Sequence, residues 1–391
     1  MPKKDHILNL PGFTIITVNE FNPVIIEVIC RYQVSCSHCG SNRIRKKSSY
    51  IRKVRHESIG LRQSYLYVKA HKYYCRDCGK YFNQQFPGIR KHQRATERLK
   101  EQIFVQHTQG ISQKDLSNQF KLGKGTIERW YHEYYLRLNQ EIKNRECPQV
   151  LGVDEHFFSK SHGFATTLCD LRKHKVFDVV KGRAQNDVKH YFESLSGRDR
   201  VKVVCIDLSS TYRNLIRRYF PNAKIVADRF HVIRLINQMA LQSYQGIDNE
   251  IKYNRGLLAA LRTKPENLSK RRKEKRDQYL KGQNAIALIY AFKQRLHALL
   301  MIKHRTKQQC KHLVPQFLEM VAQLKDSPLK PLNTLGKTLY QWREEIVRMW
   351  RFTKNNGITE GFHRKMKLIQ RRAYGFKNFE NYRLRVRVLC G

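Results

Sequence analysis

Long apolar runs are missing from this 391-residue sequence. No stretch approaches the ~18 consecutive apolar residues that a membrane-crossing helix needs. The N-terminus, Met1-Pro2-Lys3-Lys4 followed by a run broken at Pro11 and Gly12, has no signal-peptide cleavage pattern either. A cytoplasmic protein with no membrane partner is therefore expected. Acidic residues are also scarce, 32 Asp and Glu against 76 Lys and Arg, which leaves a formal net charge of +44. The excess is spread over every segment instead of one tail, and a polyanionic partner is the simplest reason to tolerate such self-repulsion. Nucleic acid leads, and an acidic membrane surface is the rival. The ten cysteines show no disulfide framework. Four fall in two Cys-x-x-Cys pairs and the rest are scattered, which argues for metal binding in a reducing compartment.

The paired cysteines are Cys36-Ser37-His38-Cys39-Gly40 and Cys75-Arg76-Asp77-Cys78-Gly79, each pair followed by a glycine able to make the turn of a metal knuckle. Four thiolates in two knuckles fit a closed tetrahedral structural zinc site formed by Cys36, Cys39, Cys75 and Cys78. Their separation exceeds the common spacing of about 15–20 residues, so the basic segment from Arg43 to His71 must form β-hairpins of its own. Two unrelated reduced pairs would not repeat the Cys-x-x-Cys-Gly form, and a redox motif would not need a twin.

From Thr96 the apolar period becomes helical, with Leu99, Ile103 and Phe104 on one face and Gly110 at the end. Ser112-Gln113-Lys114-Asp115 reads as a cap opening a short helix to Phe120. After a turn at Lys121-Leu122-Gly123, a helix from about Gly125 to Leu138 turns Ile127, Trp130, Tyr131 and Tyr134 inward and leaves Lys124, Glu128, Arg129 and His132 outside. This is helix-turn-helix spacing, in which the start of the second helix enters the DNA major groove. Lys124 and Arg129 are the candidate contacts; a plain helical hairpin is the bland alternative.

Cys147-Pro148 marks a boundary. Beyond it Val150-Leu151-Gly152-Val153 leads into Asp154-Glu155, Val201 to Ile206 leads into Asp207, and Ala223 to Ala227 leads into Asp228-Arg229-Phe230-His231. Between them Gly163 to Asp170 and Val176 to Val180 read as strands and Asn186 to Leu195 as a helix. Three meander strands followed by alternating helix and strand is the ribonuclease-H-like order. A lone strand-end Asp is usually a cap or turn former. Carboxylates ending adjacent strands, however, sit in the crevice where open α/β sheets bind ligands, and their hard oxygens suit Mg²⁺ or Mn²⁺. His231 is a supporting candidate, for phosphate contact or for holding the Asp228 turn. Residues 232–352 are mainly helical, and their basic run Lys270 to Arg276 reads as a solvated face or a track for a DNA backbone. For Trp342 and Trp350, core packing is favoured over base stacking. On a helix starting near Thr359, Phe362, Met366, Ile369 and Ala373 form the apolar stripe. Glu360, Arg364, Lys367 and Arg371 line the other side, where Glu360 is either an ion-pair partner or a third metal ligand.

These residues, with the block Asn356-Gly357-Ile358-Thr359-Glu360-Gly361 through Arg372-Ala373-Tyr374-Gly375-Phe376, resemble bacterial insertion-sequence transposases of the DDE type, most closely the ISL-three family. The resemblance spans essentially the whole chain. It implies a multidomain α+β protein: a zinc ribbon in 1–95, a helix-turn-helix in 96–146, and in 147–391 a ribonuclease-H-like catalytic core interrupted by a helical insertion at about 232–352. It implies Asp154, Asp207 and Glu360 as the catalytic triad holding Mg²⁺ or Mn²⁺, with Asp228 in support and Arg364, Lys367 and Arg371 beside DNA. The implied partners are double-stranded DNA, as terminal inverted repeats and target, and further copies of the chain in a nucleoid-associated complex. One departure is visible: Asn is expected where Phe362-His363 follows Gly361. A catalytically inactive, DNA-binding regulator derived from such an enzyme is the alternative, and an intact triad speaks against it.

Overall fold

The computed structural model describes residues 8–143, 145–353 and 357–391. Met1 to Lys4 and Asn355-Asn356, which figure in the sequence analysis, lie outside them. The chain divides into two compact units, Met1–Lys143 with Ile369–Gly375 and Asn144–Leu368 with Phe376–Gly391. Among the described residues, no helix is long and apolar enough to cross a membrane.

In the first unit β1 (Phe13–Phe21) and β2 (Val24–Cys30) form an antiparallel hairpin. This hairpin is not among the expected elements, although its two apolar runs flank a turn signal, Asn22-Pro23. β3 (Ile44–Ile59) and β4 (Arg62–Cys75) pair antiparallel along nearly their full length, β2 runs parallel to β4, and β5 (Tyr81–Asn83) pairs with the cysteine end of β4. The segment between the knuckles is thus one long hairpin instead of several. Its distal half shares a core of Leu8, Phe13, Val24, Ile26, Val54, Leu66 and Val68, whereas Cys36, Cys75 and Phe82 form a separate small cluster at the other end.

Three helices complete this unit: α1 (Glu97–Thr108), α2 (Gln113–Phe120) and α3 (Lys124–Lys143). Ser112 caps α2 by accepting from Asp115 N–H, as the capping pattern predicts, and the Thr96 hydroxyl, to which no cap was assigned from the sequence, caps α1 by accepting from Leu99 N–H. The turn between α2 and α3 takes its left-handed residue at Lys121 (φ 51°), although Gly123 is the residue whose freedom would suit it. Ile127, Tyr131 and Tyr134 of α3 are buried as expected, Tyr135 joins them, and Trp130 is only half-buried.

The second unit is built on one mixed sheet. Its strands are β6 (Val150–Ser159), β7 (Gly163–Asp170), β8 (Lys175–Lys181), β9 (Val203–Ile206) and β10 (Lys224–Ala227), in spatial order β10-β9-β6-β7-β8. β6, β7 and β8 form the antiparallel meander, and β9 and β10 add parallel to β6. α4 (Gln185–Ser194) and α5 (Ser210–Tyr219) provide the crossovers. The predicted end of the first strand needs correction: β6 does not stop at Val153 but continues through Asp154 to Ser159, because its outer half still pairs with β7 after pairing with β9 has ended at Gly152.

α6 (Arg229–Ile247) opens the helical insertion, which continues through α7 (Arg255–Arg262), α8 (Lys270–Lys281), α9 (Asn284–Met301), α10 (Lys307–Lys325), α11 (Lys330–Gln341) and α12 (Arg343–Val347). This region is fused to the sheet. Leu299, Phe317, Val321, Leu335 and Trp350 share one core with Val204, Ile206, Ile225 and Val226. Trp342 and Trp350 are buried there, and the Trp350 indole N–H donates to Leu299 O at 2.9 Å, so the packing role holds. The buried Glu345 carboxylate accepts from Arg213 at 2.7 and 2.8 Å, a two-pronged pair that ties α12 to α5. In the basic run Lys270 to Arg276, only Arg276 is buried, bonded to the Tyr290 hydroxyl; the rest is exposed helix. α13 (Gly357–Arg372) and α14 (Phe379–Cys390) close the chain. α14 lies against β8, held by Arg383, which donates to both oxygens of the buried Asp178 at 2.8 Å.

Candidate active site

The parallel register of the second sheet brings its acids together. Gly152 pairs with Cys205 and Ile206 with Ala227, so two steps beyond the first pair and one beyond the second the chain reaches Asp154, Asp207 and Asp228 on three neighbouring strands. A cleft of about 270 Å³ opens there, lined by Asp154, Glu155, Asp228, Phe230, His231, Arg234, Glu360 and His363. Glu360 enters it from the first turn of α13. Asp207 is not part of the lining but stands close enough for its charge to act on Asp154.

The electrostatics of this cluster are unfavourable by design of its placement. Burial pushes the Asp154 carboxyl up to about 6, and the charges of Asp207 and Asp228 push the same way, opposed by the Glu155 backbone N–H and by His231. Asp207 is also raised, mainly by burial, with Glu155 and Asp228 adding to it. The Asp207 Oδ1 atom is buried without a hydrogen-bond donor, an arrangement that costs free energy unless a cation supplies what the protein does not. This orphaned oxygen and the all-carboxylate donor set fit a hard divalent cation.

Other predicted residues have defined surroundings. Asp228 is buried at the N-terminus of α6, His231 Nε2 lies 3.7 Å from its Oδ2, and both line the cleft. Glu360 is exposed and accepts from Arg364 at 2.9 Å; Arg364, Lys367 and Arg371 are exposed along α13. Such an exposed pair is worth only about 0–1 kcal/mol, so the Glu360 carboxylate is readily released to another partner. Two residues not expected at the site are His363, whose Nδ1 lies 3.9 Å from Asp154 Oδ2, and Arg183, whose guanidinium lies 3.3 Å from Glu155. His363 was noticed only as a departure from a pattern, because its role depends on a tertiary neighbour.

In the first unit the four predicted cysteine sulfurs lie within 4.8 Å of one another. The Cys36–Cys78 and Cys39–Cys75 sulfur distances are both 3.6 Å, close to the ~3.8 Å edge of a tetrahedron with ~2.3 Å zinc–sulfur bonds. Gly40 and Gly79 take φ of 74° and 66°, and their N–H groups donate back to Cys36 O and Cys75 O, as the knuckle turn demands. Backbone N–H groups of Cys78 and Asp77 push the Cys75 thiol down to about 7, whereas Cys39 and Cys78 beside it are pushed up. Lys124 and Arg129 sit exposed at the start of α3, where Arg129 reaches only Gly125 O and Thr126 Oγ1 at 3.3 and 3.4 Å.

A three-strand meander extended by parallel strands, with one acid within the first strand, others just past the two parallel strands and a late helix bringing another, defines a ribonuclease-H-like fold, here joined to a zinc ribbon and a helix-turn-helix. Residues 151–386 match the DDE-domain family model described as “Transposase”, of the ISL3 type. Residues 84–135 match the helix-turn-helix domain of transposase family ISL3, and 33–78 the zinc-finger of transposase IS204/IS1001/IS1096/IS1165. The chain therefore belongs to the ISL3 family of transposases. It is 26% identical over 369 residues to the transposase for insertion sequence element IS1001 of Bordetella parapertussis, an alignment covering 90% of this chain and 87% of that protein.

Proposed function

We propose that this transposase binds the terminal inverted repeats of its own insertion sequence and catalyses metal-dependent strand cleavage and strand transfer. The observation that carries this is the convergence of Asp154, Asp207 and Asp228 on neighbouring strands, with Glu360 on the same cleft, around a carboxylate oxygen that the protein leaves without a donor. The proposed division of labour is a zinc ribbon in 1–95, a helix-turn-helix in 96–146 and the catalytic domain in 147–391.

Asp154, Asp207 and Glu360 would hold Mg²⁺ or Mn²⁺, which supplies activation of a water or DNA 3′-hydroxyl and neutralises charge on the phosphate in an in-line displacement. Asp154 lies on β6, the middle strand of the five-stranded sheet, beside β9, whose end carries Asp207. Asp228 and His231 fix the turn that floors the cleft. Arg364, Lys367 and Arg371 extend a row of cations along α13 that would follow the DNA backbone and set its register, as phosphate contacts do. Further copies of the chain are expected in the complex, because two element ends must be processed together.

End recognition is assigned to α3. Lys124→Ala should weaken binding to all DNA and lower the salt dependence by about one counterion. Arg129→Ala should cost about 1–3 kcal/mol on the end sequence alone, if it reads a base edge. Both are measured by salt-titrated binding of residues 1–145 to end and scrambled duplexes. Equal affinity of the unsubstituted fragment for the two duplexes at every salt concentration would refute the assignment.

A further inference from the structure

The departure at His363 leads to a hydrogen-bonded chain that runs from the cleft into the core. Asp154 and His156 alternate onto the same face of β6, and Thr167 is the residue directly across from Asp154 on β7. His156 Nδ1 lies 2.9 Å from Thr167 Oγ1, and its Nε2 lies 2.8 Å from the hydroxyl of Tyr382 on α14. His363 of α13 completes the row, with Nε2 3.1 Å from the same Thr167 Oγ1 and Nδ1 3.9 Å from Asp154 Oδ2. The two imidazoles face each other with centroids 5.1 Å apart. Four elements thus contribute one polar row in a setting where Thr167 and Tyr382 are fully buried and His156 nearly so.

The row can be protonated in few ways. If Tyr382 donates to His156 Nε2, then His156 Nδ1–H donates to Thr167 Oγ1, the threonine hydroxyl donates to His363 Nε2, and His363 is left with its proton on Nδ1, facing Asp154. Reversing every bond places a bare Nδ1 lone pair against the Asp154 carboxylate, which is repulsive. A doubly protonated His363 would again present Nδ1–H to Asp154. Of these arrangements, the one with Nδ1–H facing Asp154 is favoured because it keeps a lone pair from meeting the carboxylate.

We propose that His363 is a positioning residue for the reaction: a ring clamped by Thr167, His156 and Tyr382 that offers Nδ1–H to Asp154 Oδ2. The Glu155 N–H already donates to Asp154 Oδ1 at 2.8 Å. The Nδ1–Oδ2 separation of 3.9 Å is longer than a hydrogen bond, so the ring steers the Oδ2 side of the carboxylate electrostatically while the Glu155 N–H fixes Oδ1. Tyr382, with no atom lining the cleft, thereby acts on the catalytic carboxylate through three intervening side chains. Orientation of a ligand by such outer partners typically governs metal affinity by about 10–100-fold. The inference rests on the proposed role of Asp154 as a cation ligand.

The test uses the full-length protein and two separable readouts. Nitrogen NMR of isotope-labelled histidine, with His363 identified by its loss in His363→Asn, should show Nδ1 protonated in the wild type and a mixture of tautomers in Tyr382→Phe. Mn²⁺ binding followed by electron paramagnetic resonance should weaken about 10–100-fold in His363→Ala. It should be largely restored in His363→Asn, whose amide can still donate, with thermal unfolding unchanged between these two variants. A bare Nδ1 in the wild type overturns the proposal. So does an His363→Ala protein that binds Mn²⁺ as tightly as the wild type while Asp154→Asn has lost it. If Asp154→Asn also binds Mn²⁺ normally, the cation site itself is misplaced, and the ring tautomer still decides whether the hydrogen-bonded row exists.

Discussion

Asp154→Asn, Asp207→Asn and Glu360→Gln are each expected to lower strand cleavage and strand transfer by at least ~10³-fold, the equivalent of ~4 kcal/mol of transition-state stabilisation. Each exchange keeps the side-chain volume and removes the charge that holds a divalent cation. End binding should persist, because it is assigned to the first unit. The assay is cleavage of a labelled end duplex in Mg²⁺ and in Mn²⁺, with gel shift and thermal unfolding on the same preparations. Asp228→Asn separates ligation from support: a buried residue at the start of α6 paired with His231 should lose activity only in part. Wild-type cleavage by Glu360→Gln would move the third carboxylate elsewhere, with Asp228 next in line.

The same substitution at Asp154 should make the metal-free protein more stable. Its carboxyl is raised to about 6 by burial and by the neighbouring aspartates, so between about pH 4 and pH 6 the folded state holds more protons than the unfolded chain. In that window stability falls as the pH rises, and the cost is fully present above it. Asp154→Asn abolishes the cost and should gain on the order of 1–3 kcal/mol at neutral pH and nothing below about pH 4. Urea unfolding in chelator at both pH values measures it. A neutral-pH loss of stability would show that Asp154 is satisfied by the protein alone.

Removal of zinc is the second large effect. The four sulfurs have the spacing of a closed tetrathiolate site, and a structural zinc of this kind contributes about 10–16 kcal/mol of apparent binding free energy to the fold it closes. The damage should nevertheless be local. The knuckle end of the β3–β4 hairpin rests on Cys36, Cys75 and Phe82, with Val34 and Ile44 packed beside them, while its distal end belongs to the separate core of Val24, Ile26, Val54 and Leu66. Chelation of the native protein, or Cys75→Ser, should therefore free the backbone amides around residues 34–46 and 73–83 for hydrogen exchange and leave Val24 to Val28 protected. One zinc per chain is expected by elemental analysis. Chelated protein with unchanged exchange in the knuckles would disprove a structural zinc.

Sequence by itself determined those features whose physics is local. Two Cys-x-x-Cys-Gly turns need only their own residues to bind a metal, Ser112 caps the helix that follows it, and apolar runs ending in Asp154, Asp207 and Asp228 announce strands with carboxylates at one edge. Tertiary structure decided what depends on pairing across distance. Only the parallel register of β6, β9 and β10 sets the three aspartates side by side, and only pairing with β7 carries β6 past Asp154 to Ser159. The β1–β2 hairpin and the fusion of the helical insertion to the sheet were settled by burial against residues far along the chain. His363 is the clearest case. Its spacing on α13 marks it as one more polar position, yet packing places it between Asp154 and a threonine 196 positions away. A side chain whose function is to touch another element cannot be recognised from the periodicity of its own.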